Sequence, residues 1–319
     1  MNSGTRIPYI SQFFILIGLL FGAFILAGAA AIVIWSSMVG GSLMDMEKGM
    51  LNPANADAVK VVQLVSSMVM FIVPAFVFAR IVNKQPVKHL GLKTKFSVSQ
   101  VGLVVAMVFA GFYLSGALAE LTNLIPIPAK AKAMFEKMEK AYVDQVMVIA
   151  NMKTFGEYLF SLIVIGLAPA IFEELIFRGA MQQLMVKWTR SAWVGIIITS
   201  IIFSAIHFSY YGFLSRLFLG IMMGFMFYYS KSIWLSILAH FLNNGFAVTM
   251  MYVLSKQGKL SKEVMDERFP IWYGVAALAV IVALFIGYKH ESKKLGTYYI
   301  DNTETEDDDP FKDQHSIVV

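Results

Sequence analysis

Residues 171–178 read Ile171-Phe-Glu-Glu-Leu-Ile-Phe-Arg178, which places two carboxylates and a guanidinium inside an otherwise apolar stretch. Two further apolar stretches, Phe203-Ser-Ala-Ile-His207 and His240-Phe-Leu-Asn-Asn244, each carry an imidazole. An ionisable group in a membrane span costs about 2.5–3.5 kcal/mol, so such groups pair with one another or serve a function. The three stretches therefore predict a bundle of membrane helices that share one polar site.

The composition of the chain favours membrane insertion. Of its 319 residues, 58% are hydrophobic and only 15% are charged, whereas soluble domains contain about 25% charged residues. The net charge of +5 comes from basic residues that collect at the ends of apolar segments, as membrane topology requires. We therefore expect no nucleic-acid partner. The absence of cysteine excludes disulfide bonds, thiolate metal ligands and a cysteine nucleophile.

Eight apolar segments approach the length of about 20 residues that a membrane span needs. They are Ile10–Trp35, Val61–Val82, Val101–Leu121, Tyr158–Phe177, Ala192–Phe208, Phe213–Tyr229, Ile233–Leu254 and Ile271–Tyr288. This pattern predicts an all-α fold, a polytopic membrane bundle of about eight transmembrane helices. We expect a single domain over residues 1–295, with the polar core at 158–254, and an acidic, disordered cytoplasmic tail at 296–319.

Basic residues orient the predicted bundle. They cluster at 80–95, 178–190 and 289–294, which favours both termini in the cytoplasm. The loop Ser255–Arg268 runs against this orientation, because its four basic residues would face outside. Short loops and the lack of a eukaryotic targeting signal favour a bacterial cytoplasmic membrane.

Residues outside the spans include one amphipathic segment. In Ala129–Val148, apolar residues recur at helical spacing opposite a charged face. This pattern predicts a helix on the membrane surface, which would act either as a packing cap or as a lid over the site. His89, His290 and His315 fall in loops or in the tail, where we expect solvated side chains.

The two glutamates of the first stretch face different directions. Glu174 and Arg178 are four residues apart, so on a helix they share a face and can form a salt bridge. Glu173 is rotated by about 100° from that face and must find a histidine, a water molecule or a metal ion instead. A structural alternative is that these residues lie at a helix end and extend their charges to the membrane surface.

The remaining polar groups limit the chemistry. No Gly-x-Ser-x-Gly and no His-Glu-x-x-His sequence is present, and no base is evident for the nearby serines. Glutamate and histidine together activate water either directly or through a metal, and Glu173, His207 and His240 are the candidate ligands of a catalytic zinc ion. The amide of Asn244 can stabilise a developing oxyanion, with help from His240.

The motifs Glu173-Glu174-x-x-x-Arg178, Phe203-x-x-x-His207 and His240-x-x-x-Asn244 resemble, in this order, those of the CPBP family of intramembrane proteases. This family includes the CAAX prenyl endopeptidases and the bacteriocin-processing or immunity proteins, also called Abi proteins. The resemblance covers residues 158–254, and it implies a bundle of about eight helices around a hydrolytic site within the membrane.

The resemblance also implies a role for each residue. Glu173 would activate water with the assistance of His207, and Glu174 would pair with Arg178 to hold the site. His240 and Asn244 would form an oxyanion hole or bind metal, and the family allows both a metal-dependent and a metal-free mechanism. The substrate would be a peptide or protein, either a lipidated CAAX protein or a bacteriocin leader peptide.

Two other functions are compatible with the same residues. The polar cluster could join the helices of a membrane scaffold or immunity protein that has no catalytic activity. Alternatively, Glu173, His207 and His240 could relay protons in a transporter. Transporters often contain internal inverted repeats, and the two halves of this chain show no convincing repeat.

Overall fold

A computed structural model describes residues 7–41, 43–261 and 269–297, and every regular element in these ranges is helical. The principal helices are α1 (Tyr9–Met38), α2 (Pro53–Val82), α3 (Val98–Leu124), α4 (Ala129–Ala150), α5 (Phe155–Thr189), α6 (Ala192–Ala205), α7 (Phe213–Ser230), α8 (Ile233–Lys256) and α9 (Ile271–Lys294). Two short helices, Leu43–Gly49 and Pro86–His89, lie in the connections.

The predicted all-α membrane fold is confirmed. Within the described residues, seven of these helices are long and apolar enough to cross a membrane, and α6 is a shorter apolar helix of 14 residues. Each of the eight predicted segments overlaps one of these helices. The predicted tail lies outside the described residues except for its first two residues, Gly296 and Thr297.

The fifth apolar segment differs from the prediction because α6 ends at Ala205, before His207. Its 14 residues extend about 21 Å at 1.5 Å per residue, less than the hydrocarbon thickness of about 30 Å. The backbone turns at Phe208, whose φ of 51° is incompatible with a continued helix. His207 therefore lies on a turn, and irregular backbone at membrane depth is found where protein covers it or where it lines a cavity.

Helix α5, which carries the first motif, lies at the centre of the molecule and is irregular. Residues 174–186 are all buried. The helix is α-helical over Ala168–Glu174 and has π-helical turns at Leu162–Leu167 and Leu175–Gln182. Such turns occur frequently at functional sites, where they redirect side chains.

An amide of α8 compensates for a proline in α5. Pro169 has no backbone N–H, so the carbonyl of Ile165 loses its usual helical donor. Asn244 Nδ2 donates a hydrogen bond to that carbonyl over 3.3 Å. Neighbouring side chains commonly satisfy backbone groups freed by proline in membrane helices, and here the bond joins α5 to α8.

Two glycines allow α7 to approach α5 and α6 closely. An added Cβ would lie 2.9 Å from a side-chain atom of α6 at Gly220 and 2.7 Å from one at Gly224. The carbonyls of these glycines accept hydrogen bonds from α5, from Arg178 Nη2 at 3.1 Å and from Gln182 Nε2 at 2.9 Å. Small residues permit such contacts between membrane helices, so both glycines help to position the first motif.

The amphipathic segment forms the predicted helix, α4, and packs against the segment that follows His207. The ring of Phe135 stacks on Tyr210 with centroids 4.5 Å apart. Ser209 Oγ donates a hydrogen bond to Glu139 Oε2 over 2.8 Å. Helix α4 therefore covers the turn between α6 and α7.

His89 is not the solvated residue that the sequence predicts. Its side chain is only partly exposed, and both ring nitrogens are buried without a hydrogen-bond partner among the described residues. Burial, reinforced by the nearby charge of Lys187, lowers the pKa of His89 to about 3. His290 is exposed, as predicted, and His315 lies outside the described residues.

We expect Gly224→Ala to destabilise the protein. The added methyl group would collide with buried side chains, and overpacking of this kind costs about 1–3 kcal/mol of unfolding free energy. Thermal unfolding in detergent measures the effect. Gly102→Ala is the matched control, because its added Cβ meets no atom within 4 Å. Equal unfolding temperatures for both variants would contradict the close contact of α7.

We expect acid to destabilise the protein through His89. The unfolded chain protonates this imidazole near its ordinary pKa of 6.5, whereas the folded protein does so only at about 3. The free energy of unfolding is therefore unaffected above pH 6.5 and falls below it by up to about 1.4 kcal/mol per pH unit.

Unfolding temperatures at about pH 7.5 and about pH 5 measure this dependence. They should differ less in His89→Gln than in the parent protein, and His290→Gln should behave like the parent. An undiminished acid sensitivity of His89→Gln would contradict the assignment.

Candidate active site

The two glutamates of the first motif lie in different environments. Arg178 Nη1 donates to Glu174 Oε1 over 2.7 Å, and the two side chains are 1% and 0% exposed. This contact confirms the predicted salt bridge. Glu173 Oε2 is buried but has no hydrogen-bond partner among the described residues. The ion pair offsets the cost of burying Glu174 and Arg178, whereas Glu173 is not part of it.

His240 lies between the two carboxylates. Its Nδ1 is 3.1 Å from Glu174 Oε1, and its Nε2 is 3.9 Å from Glu173 Oε2. Because an ionised carboxylate only accepts hydrogen bonds, Nδ1 carries the proton. The contact with Glu173 is longer than a hydrogen bond. Glu174 therefore orients the imidazole, and the second nitrogen of that ring is directed towards Glu173.

His207 has a defined tautomer. Its Nδ1 lies 2.8 Å from the carbonyl oxygen of Phe203, and a carbonyl oxygen can only accept. The proton of the neutral ring is therefore on Nδ1, which leaves the lone pair of Nε2 available as a base or ligand.

The ring of Phe203 connects the three motifs. The guanidinium carbon of Arg178 lies 4.7 Å from the ring centroid, a cation–π distance. The imidazoles of His207 and His240 contact the same ring edge to face, with centroids 5.1 and 5.9 Å away. Residues that are far apart in the sequence therefore converge on one aromatic side chain.

Asn244 has a structural role in addition to the one predicted for it. One turn after His240, its Nδ2 donates to Ile165, as described above, and its Oδ1 accepts from Asn243 Nδ2 over 3.1 Å. The side-chain amide carries a second hydrogen. Asn244 can therefore join α5 to α8 and also donate to an oxyanion.

Sequence analysis did not identify Arg216 as a site residue. Its charge acts on both Glu173 and His207, and its guanidinium lies over the ring of Tyr142 at 5.5 Å from the centroid. The cost of a charge in an apolar segment, which identified the other residues, applies here as well. Its position near the start of a segment does not distinguish it from an ordinary basic residue whose side chain extends to the membrane surface.

The arrangement of the described side chains does not form the expected zinc site. Within the described part of the chain, no three histidine or carboxylate side chains are close enough together to hold a metal ion. A catalytic zinc ion needs three protein ligands, so Glu173, His207 and His240 do not fit the ion as arranged. The requirement for a metal ion stays a prediction.

Comparison with known proteins identifies the segment that contains the site. A family model described as type II CAAX prenyl endopeptidase, Rce1-like, matches residues 155–246, which include the six predicted site residues. No curated protein and no solved structure matches the chain. With seven helices of membrane-spanning length in the described residues, the chain is an integral multi-pass membrane protein. Residues 155–246 are therefore similar to the Rce1-like family of membrane proteases, which agrees with the resemblance that the three motifs indicated.

Proposed function

We propose that the protein is an intramembrane endopeptidase in which Glu173 activates a water molecule for attack on a peptide bond. The observation that carries this proposal is the difference between the two adjacent glutamates. Glu174 accepts hydrogen bonds from Arg178 and His240 through its Oε1, whereas Glu173 has no hydrogen-bond partner among the described residues and its Oε2 is buried. A positioned carboxylate that is not bonded elsewhere can remove a proton from water.

The proposed reaction uses four side chains. Glu173 takes one proton from the water molecule while the Nε2 lone pair of His207 accepts a hydrogen bond from the other. The water oxygen attacks the peptide carbonyl carbon, and the second amide hydrogen of Asn244 donates to the resulting oxyanion. His240, when protonated, adds its charge to that stabilisation. Glu173 then transfers its proton to the peptide nitrogen, the C–N bond breaks, and two shorter peptides leave.

We further propose a lipidated substrate of the CAAX type. A groove of about 260 Å³ opens between α3, α5 and α8. Its lining includes the aromatic rings of Phe109, Phe112, Phe241 and Phe246, and also Gly245, the neighbour of Asn244. Apolar, aromatic-lined grooves suit hydrocarbon groups. This groove favours a prenylated peptide over an unmodified bacteriocin leader peptide.

The orientation in the membrane is also proposed. The basic residues at 80–95, 178–190 and 289–294 support cytoplasmic termini, and the short loops favour a bacterial cytoplasmic membrane.

We expect Glu173→Gln to lower peptide cleavage by about 10²–10⁴-fold, because glutamine cannot accept the proton of water. The measurement is kcat/KM of the purified protein in liposomes, with prenylated CAAX peptides and bacteriocin leader peptides as substrates. Glu157→Gln is the matched control on the same helix. Glu157 closes a capping box with Thr154, and glutamine serves equally well there.

Two results would contradict the proposal. Undiminished cleavage by Glu173→Gln would exclude this residue as the base. Loss of cleavage on chelation, with recovery on adding zinc, would show that the metal-free mechanism is wrong.

If the parent protein binds peptides but cleaves none, the scaffold function is favoured. If it instead transports protons in a pH-dependent manner, the transporter is favoured.

We expect Arg178→Leu to destabilise the fold by about 3–5 kcal/mol, because it leaves Glu174 as an unpaired buried charge. Chemical unfolding in detergent measures this loss, and Arg80→Leu, which removes an exposed arginine, is the control. Adding Glu174→Gln to Arg178→Leu should recover part of the stability. Equal stability of the two arginine variants would show that the ion pair does not hold the site together.

A further inference from the structure

Arg216 lies in the first turn of α7, directly after the turn that carries His207. Its backbone N–H donates to the carbonyl of Gly212, the residue that caps this helix, over 3.0 Å. Its guanidinium packs between Gly212 and the ring of Tyr142 on α4. From this position its charge acts on both Glu173 and His207. Because Gly212 also donates to Ser209 Oγ over 3.2 Å, Arg216 lies beside the turn that carries His207.

This position is unfavourable for a cation. The N-terminus of a helix carries a partial positive charge that repels a guanidinium in the first turn. In addition, Arg216 Nη1 is buried and has no hydrogen-bond partner in the described part of the chain. Leaving a buried charged donor unsatisfied costs more than leaving a neutral one.

The charge of Glu173 offsets part of this cost, but it gives Nη1 no hydrogen bond within the described residues. Arg178 bonds to Glu174, and Glu139 on the facing helix accepts a hydrogen bond from Ser209. A charge that is retained in a membrane segment at such a cost indicates a function. The partner of Arg216 Nη1 is therefore expected to lie outside the described residues.

We propose that Arg216 binds a carboxylate group of the substrate beside the scissile peptide bond. A planar guanidinium forms two parallel charge-assisted hydrogen bonds with a carboxylate. The N-terminus of α7 adds to the positive potential at this point. Such a group supplies the partner that Nη1 lacks. The inference rests on the proposed function, because it requires a peptide substrate at the site.

The carboxylate has two possible sources, the C-terminus of the peptide or an acidic side chain next to the cleaved bond. A CaaX sequence stands at the C-terminus of its protein. Its free carboxylate is therefore three residues beyond the modified cysteine, about 10 Å in an extended chain. A single arginine at the edge of the site can serve either group, and matched peptides distinguish them.

The test measures peptide binding to the full-length protein in detergent. Fluorescence anisotropy compares three farnesylated CaaX peptides. The first has a free C-terminal carboxylate and an acidic residue beside the cleaved bond. The second has an amide in place of the C-terminal carboxylate, and the third has an amide in place of the acidic side chain. The protein is Glu173→Gln, with or without Arg216→Gln. The inactive Glu173→Gln protein separates this test from the proposed function. If the parent protein cleaves no peptide while the Glu173→Gln protein still prefers the carboxylate, the result counts against the proposed mechanism and not against this inference.

We expect the free acid to bind about 10–100-fold more tightly than one of the two amides, as charge-assisted hydrogen bonds predict. Arg216→Gln should lower the affinity for the free acid to that of the more weakly bound amide, and the affinity for this amide should stay the same. The amide that loses affinity identifies the source of the carboxylate. Arg216→Lys should keep part of the preference because it keeps the charge, and it carries the test if Arg216→Gln does not fold. Arg80→Gln should keep all of it.

Three results would overturn the proposal. The first is equal affinity of the Glu173→Gln protein for the acid and both amides, including no binding of any. The second is an unchanged preference in Arg216→Gln and in Arg216→Lys. The third is an equal loss of affinity for acid and amides in Arg216→Gln, which would mean that the arginine merely balances the charge of the site.

Discussion

The architecture of the site depends on the buried ion pair between Glu174 and Arg178. Neither charge could remain alone in the interior of a membrane protein, and together they lie 2.7 Å apart with almost no exposure. The pair extends to three other elements. Glu174 orients His240 of α8, and Arg178 donates to Gly220 of α7 and lies over Phe203 of α6. One buried pair therefore fixes the relative positions of four helices.

This arrangement gives two chemically identical neighbours different tasks. Successive residues on a helix face about 100° apart, so the arginine that holds Glu174 does not reach Glu173 in the same way. His240 contacts both, through a hydrogen bond to Glu174 and at 3.9 Å from Glu173. The π-helical turn at Leu175–Gln182 follows directly. Glu174, which holds the site together, therefore lies next to Glu173, which is available to accept a proton.

Sequence patterns predicted the spans and the salt bridge, because both follow from local spacing: hydrophobic length for the spans and an i, i+4 relation for Glu174 and Arg178. They did not predict contacts that depend on tertiary packing. The bond from Asn244 to the carbonyl freed by Pro169 requires α8 to lie beside α5. The end of α6 and the burial of His89 also depend on neighbouring elements, as does the position of Arg216, whose charge resembles an ordinary basic residue at a segment end.

The central claim, that Glu173 activates water and does not attack the peptide itself, is tested most directly by a single turnover in ¹⁸O-labelled water. Mass spectrometry would follow the label in the new C-terminal carboxyl group and in the fragment that contains Glu173. Direct attack by water predicts one labelled oxygen in the peptide product and none in Glu173. Label in the side chain of Glu173, with an unlabelled product, would instead show a covalent anhydride and would contradict the account.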